Sequence, residues 1–261
     1  MQLRLGFLSI FGMAMFLTPV PAIASDNAQP YKATTVDECI QEKECVWYAY
    51  SRALSLVNVK GTPQNNQTLY KRINDVTIRT SKKERSSSSG FSQAVSALSS
   101  LYTRKIDIVD NQKANTLFVF TNDIEGAYLN VLNAIGQKSL NSNQEYVAIV
   151  PENRGPSDCS VLKFINSKSS GYFASYAFIK DEGSSQKCMI MSLYNSFGFS
   201  GRTNNIPFSI FSDASEYFTQ LDLFMFFLLF QPEFKNGDNY EKTRTVFNDI
   251  FEEKKKLFLK N

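Results

Sequence analysis

Apolar positions recur along the chain in two periods, and the switches between them lay out its elements. Val76-Thr77-Ile78-Arg79-Thr80 alternates apolar and polar residues, the signature of a half-buried strand, and Ile106 and Ile108 alternate in the same way. Leu117-Phe118-Val119-Phe120 is a short continuous apolar run, which suits a central strand buried on both faces. Tyr146–Val150 is strand-like and is stopped by Pro151. Ser160–Ile165 and Tyr172–Ile179 flank a Ser-Lys-Ser-Ser-Gly turn and read as an antiparallel hairpin.

Helical spacing takes over elsewhere. Trp47, Tyr50, Leu54 and Val57 share one face of a helix over 45–58, and Phe91, Val95, Leu98 and Leu101 share another. Asp123 caps a helix running to about Ile135, with Gly136 at its end. Cys188–Phe199 is an apolar helix, and Asp213 starts one that reaches Phe230 and is ended by Pro232. Tyr240–Leu259 is amphipathic, with Val246, Ile250 and Phe251 inward. Residues 25–36 form an extended lead-in, Gly61–Gln67 a polar turn, and 200–208 a Gly/Asn/Pro loop. Residues 82–90 are charged and serine-rich, the composition of a mobile loop. The strand at 76–80 needs partners from beyond that loop. Residues 25–261 therefore read as a single α+β domain: a mixed sheet of five to six strands with packed helices.

The first 24 residues stand apart. Arg4 precedes an apolar run from Leu5 to Leu17; Pro19 and Pro21 break it, and Ala22-Ile23-Ala24 supplies a small-x-small cleavage pattern. This is a secretory signal peptide cut after Ala24, and at about 13 residues the apolar run is too short to span a bilayer. Leu221–Phe230 is also very apolar, but it is short and contains Asp222, so it reads as a buried core helix. The mature chain carries 27 basic and 25 acidic residues, since Arg4 leaves with the signal, and its net charge is 27 − 25 = +2. No basic patch marks it as a nucleic-acid binder; Lys254-Lys255-Lys256 follows Glu252-Glu253 at a helix end, where cations are favoured. With the signal gone, no membrane span is expected.

Four mature cysteines in an exported chain imply disulfides. Three connectivities are open, and Cys39–Cys45 with Cys159–Cys188 is favoured because each pair lies in one local unit. Residues six apart on a helix are about 9 Å apart along its axis, beyond the reach of a disulfide. A Cys39–Cys45 bond therefore requires a helix beginning near Cys45 and a loop over 38–44. The spacing is unlike the Cys-x-x-Cys of thiol exchange, so the bond reads as structural.

The chain contains no histidine. That removes Ser–His–Asp and Cys–His nucleophiles and every His-ligated metal site. No phosphate loop or dinucleotide fingerprint appears, and no cofactor is implied. Acid–base work near neutral pH would fall to shifted carboxylates, lysines or tyrosines. Asp213 and Glu216, three apart on the expected helix, share a face, with Asp222 further along it. The same pair also fits a capping box with Asp213 as N-cap.

The C-terminal half reads Asp158-Cys159-Ser160-Val161, a strand, Cys188, Leu193, Phe197-Gly198-Phe199, Ser209-Ile210-Phe211-Ser212-Asp213, Leu221-Asp222, Leu228 and Pro232. This order resembles a family of exported bacterial proteins, the domain of unknown function 2927, over roughly residues 70–255 and most closely over 158–232. Members pair two such cysteines and carry a Cys-x-x-Glu-Glu-Leu-x-Gln-x-Leu-Gly-Leu helix; here Met191 and Ser192 stand in place of the two glutamates. That helix is similar to a worn zincin helix, His-Glu-x-x-His-x-x-Gly. Aligned on Gly198, the ligand positions fall at Met191 and Asn195, the general base at Ser192 and a third ligand near Gly201. None of these residues can hold zinc or take a proton from its water. The resemblance implies a zincin-like α+β framework without metal. With every usual catalytic constellation missing, the chain reads as a non-catalytic binding or scaffold domain whose partner is an envelope protein or glycan; the signal peptide points to the periplasm first and the extracellular space second. The alternative is an envelope hydrolase using Asp213, Glu216 and Asp222.

Overall fold

Alternation along the strands sorts their side chains onto the two faces of one six-stranded sheet. The computed structural model describes residues 31–58, 61–64, 67–86, 88–110, 113–142, 146–149, 159–166, 171–182, 186–201, 203 and 206–260. The signal peptide, residues 25–30 of the lead-in, Val150 and Pro151, and most of the 167–171 turn lie outside the described residues. The strands are β1 (Val76–Thr80), β2 (Ile106–Ile108), β3 (Thr116–Thr121), β4 (Tyr146–Ile149), β5 (Cys159–Asn166) and β6 (Tyr172–Lys180), in the order β2–β1–β3–β6–β5–β4. β2, β1, β3 and β6 are mutually parallel, while β5 runs antiparallel to both β6 and β4. The expected α+β mixed sheet and the β5–β6 hairpin are both present.

Period two gives each face its own core. Val76, Ile78, Phe118, Phe120, Val161, Ala177 and Ile179 point into the main core. Leu162, Phe164 and Phe178 point the other way, into a smaller cluster with Tyr128, Val131 and Leu132. Those last three belong to α5 (Ile124–Ser142), which the Asp123 carboxylate caps by accepting the Gly126 N–H at 2.8 Å. α5 runs on past Gly136, because a helical glycine costs only about 1 kcal/mol and does not force an end. β3 accordingly is fully buried on the main-core face only; Leu117 and Val119 on the other face are half-buried.

The remaining helices form the main-core layer: α1 (Val36–Gln41), α2 (Lys43–Ala53), α4 (Ser89–Leu101), α6 (Gln186–Phe197), α7 (Gln220–Leu229) and α8 (Tyr240–Phe258). α7 is central, touching α1, α2, α4 and α8, which explains its near-total lack of polar residues. Aromatic edges lock this layer. Phe197 meets Phe226 at 5.0 Å and Tyr102 at 5.1 Å, and Trp47 meets Phe247 at 5.1 Å. Val246, Ile250 and Phe251 of α8 face inward as expected. Among the described residues no helix is long and apolar enough to cross a membrane.

Three boundaries differ from the sequence reading. Cys39 and Cys45 are bonded, but 38–44 is not a loop: one extended residue, Glu42 (φ −94°, ψ 107°), separates α1 from α2 and brings the two Cα atoms to 5.2 Å. A single break in the helical rise is enough. α2 then ends at Ala53, with Ser55 at φ 58° turning the chain, rather than at 58. The serine-rich segment 82–90, expected as a mobile loop, contains α3 (Lys83–Ser86) and the start of α4. Ser88 sits in the non-helical N-cap position that serine favours, and Gly90 is buried where a Cβ would lie 1.2 Å from the Gln186 side chain of α6. A side chain there would have to displace the end of the flexible Gln186 side chain.

The second disulfide, Cys159–Cys188, joins the start of β5 to the first turn of α6. It closes the longer loop, with a sequence separation of 29 against 6. Replacing Cys159 and Cys188 together by serine is expected to cost about 3–4 kcal/mol, and replacing Cys39 and Cys45 about 2 kcal/mol. Urea denaturation of the two double variants checks the order.

Candidate functional site

α6 carries the zincin-like pattern, and the fold holds it at both ends. The Cys188–Cys159 bond fixes its first turn. Beyond its last turn, the carbonyl of Phe199 accepts the Lys163 ammonium at 3.1 Å. Residues three and four apart on a helix share a face, so Cys188, Ser192 and Asn195 form one stripe, while Cys159, Val161 and Lys163 share one face of β5.

Between the two ties the motif positions are turned inward. Met191 and Ser192 are buried, Asn195 is half-buried, and the buried Gly198 ends the helix at φ +139°. A Cβ on Gly198 would meet the Tyr70 carbonyl at 2.4 Å, so glycine is required there by packing as well as by φ. Ser196 Oγ donates to the Ser192 carbonyl, while Ser192 Oγ and Asn195 Oδ1 are buried without a hydrogen-bond partner. Among the described residues no three His, Cys, Asp or Glu side chains group as metal ligands. Met191 and Asn195 offer a thioether and an amide, a poor pair for zinc.

The three acids are not brought together. Residues 213–219 are not helical, and the expected helix from Asp213 begins only at Gln220. Asp213 and Glu216 are exposed on this stretch, and the capping box lies six residues later, with Thr219 as N-cap and Asp222 closing it. The chain there is held differently: Lys187 Nζ donates to the carbonyls of Ser212 at 2.7 Å and Asp213 at 3.3 Å. Asp222 is fully buried and accepts from Ser209 Oγ (2.6 Å), Ile210 N (3.0 Å), Thr219 N (2.8 Å) and Thr219 Oγ1 (3.3 Å). Burial pushes its carboxyl up to about 6, against the pull of these donors. Its oxygens are occupied in pinning the 209–210 turn to the head of α7, and no lone pair faces solvent.

Among the buried cations that escaped the sequence reading, Lys163 and Arg72 are the most deeply enclosed. Lys163 is 1 % exposed, its ammonium 4.8 Å over the Tyr172 ring, and burial pushes it down to about 7. The signal was available: Lys163 falls in the inward register of a strand otherwise marked by Cys159 and Val161. Arg72 is 2 % exposed, and its guanidinium donates to Asn74 Oδ1 (2.9 Å), Asn115 Oδ1 (2.7 Å) and Thr116 Oγ1 (3.2 Å), all neutral acceptors. No local pattern marks Arg72, since it lies outside any regular element.

Compared with known proteins, the chain matches no family model, no curated protein and no solved structure.

Asp222→Ala is expected to destabilise the fold by about 3 kcal/mol, the loss of a cap plus several charge-assisted hydrogen bonds. Asp213→Ala and Glu216→Ala stay within about 0.5 kcal/mol as exposed changes; thermal unfolding of the three variants checks this. Lys163 gives a pH signature. The unfolded chain keeps the lysine proton to about 10.4, whereas the folded chain releases it near 7. The unfolded state therefore binds more protons between these values, and stability climbs as pH rises from about 7 to about 10. Lys163→Met removes the burial cost and is expected to stabilise the fold by roughly 3–4 kcal/mol at pH 6, with the gain shrinking by pH 10. Denaturation curves at both pH values measure it.

Proposed function

We propose that this chain is an exported, non-catalytic binding or scaffold domain of the bacterial envelope, working in the periplasm on a zincin-like framework that has lost its metal. The leading pattern of residues 1–24 and the two disulfides support export to an oxidising compartment. The observation that carries the non-catalytic reading is the inward packing of α6. Met191 and Ser192 lie in the core, Asn195 offers only an amide, and the buried acid nearby, Asp222, has its oxygens filled by capping donors. Kinship with the domain of unknown function 2927 is part of the same reading; it rests on the spacing of Cys159, Cys188, Gly198 and Asp222.

The surface best suited to a partner is the non-helical stretch after Ser212. Tyr217 is 71 % exposed there, with exposed Asp213 and Glu216 beside it in sequence, an aromatic residue among acids. Exposed tyrosines are favoured contact residues because they bring a large area at little entropic cost. Expressed with residues 1–24, the protein is expected in the periplasmic fraction with a mass beginning at Ser25 and no free thiol. Immobilised, it is expected to retain one envelope protein or glycan saturably. Tyr217→Ala should weaken that retention, and the envelope material should come back uncleaved. Release of sugar or peptide fragments would replace this reading with a hydrolase.

A further inference from the structure

The sheet floor beneath α6 carries an unbalanced positive charge. In register, Lys163 of β5 stands beside Ser175 of β6, and Ser175 beside Thr116 of β3. Directly paired residues on adjacent strands share a face at a spacing of about 4.8 Å, so the three form a polar row on the main-core side. Arg72 closes the row through its bond to Thr116 Oγ1. All four residues are buried.

Among the described residues every hydrogen-bond partner of this row is neutral. Arg72 bonds Asn74, Asn115 and Thr116, and Lys163 bonds the Phe199 carbonyl. Among the described residues the ionisable group that acts on Arg72 is Tyr102, whose phenol is pushed up to about 12 by burial and so carries no charge at neutral pH. No charged group acts on Lys163, whose shift is due to burial alone. Lysine can relieve such a position by losing its proton, but a guanidinium cannot. Arg72 Nη1 is in addition buried with no hydrogen-bond partner, although the Nε and Nη2 side of the same fork is filled. A buried cation without a counter-charge is costly unless something neutralises it. Beside it, the Ser175 Oγ to Thr116 Oγ1 bond is long, at 3.4 Å, so either hydroxyl proton can turn to a better acceptor.

We propose that the Arg72–Thr116–Ser175 end of this row, with Lys163 in the next register, binds one halide ion. Arg72 Nη1 and the two hydroxyls are its donors. A monatomic ion is chosen because it is smaller than an oxyanion, with fewer hydrogen-bond demands on a row this deeply packed. The ion would offset the buried guanidinium and hold β1, β3 and β6 together at their N-terminal ends. This goes beyond the binding role proposed above and does not depend on it.

The test is thermal unfolding of the disulfide-bonded mature protein in halide-free buffer, with chloride replacing gluconate at constant ionic strength. A saturable rise in Tm is expected, following ligand linkage. Thr116→Val with Ser175→Ala keeps both cations and is expected to weaken the chloride midpoint by about tenfold, the loss of roughly one hydrogen bond. Arg72→Met abolishes the chloride response; should that variant not fold, the hydroxyl double variant and diffraction decide. Crystals grown in bromide are expected to show an anomalous peak beside Arg72 Nη1. No saturable component in the wild type, a component unchanged in the hydroxyl variant, or bromide peaks confined to the surface would each overturn the site. A saturable response to sulfate but not to chloride would overturn the choice of a monatomic ion.

Discussion

The fold turns on how α6 is clamped. It lies against β5 and β6, with α4 on its other side and the aromatic side chains of α7 packed against it, and it is tied to β5 by a covalent bond at one end and a buried ammonium at the other. Those two ties set which stripe of the helix faces the sheet. With Cys188 and Phe199 placed, Ser192 is buried and Asn195 half-buried, while Leu193, Tyr194 and Phe197 lie in the main core. The aromatic packing of Phe197, Phe226, Phe230 and Tyr102 follows from that orientation.

The same clamp fixes the electrostatics. The acid nearest α6, Asp222, organises backbone N–H and hydroxyl groups at the head of α7 and neutralises no cation. The cations at the sheet, Lys163 and Arg72, meet only carbonyls, amides and hydroxyls. Asp222 thus forms no ion pair with either cation, and Asp213 and Glu216 face solvent apart from it.

Much of the architecture was legible in local pattern. β1 has the limits that alternation gave it, and the β5–β6 hairpin, α4, α6 and α8 fall within a few residues of expectation. The errors share a cause. Helix ends at Gly136 and Asp213 were read from residues that favour caps, yet α5 passes through its glycine and α7 takes its cap from Thr219. Capping residues permit an end without requiring one, and packing chooses among the permitted positions. The serine-rich segment failed for a different reason: its composition suggested a loop, but the packing of α4 against α6 and α7 draws Ser89 and Gly90 into a helix.

By itself the sequence pointed to the α+β class, favoured the two disulfide pairings among three connectivities and left α6 without histidine or carboxylate, because period, cysteine placement and residue chemistry are properties of short stretches of chain. Only the tertiary structure decided that Asp222 is separated from Asp213 and Glu216, and that Lys163, Ser175, Thr116 and Arg72 form one buried row. Those four residues come from four separate segments of the chain. What joins them is strand order and register, which are set by the packing of distant segments and are written in no one of them.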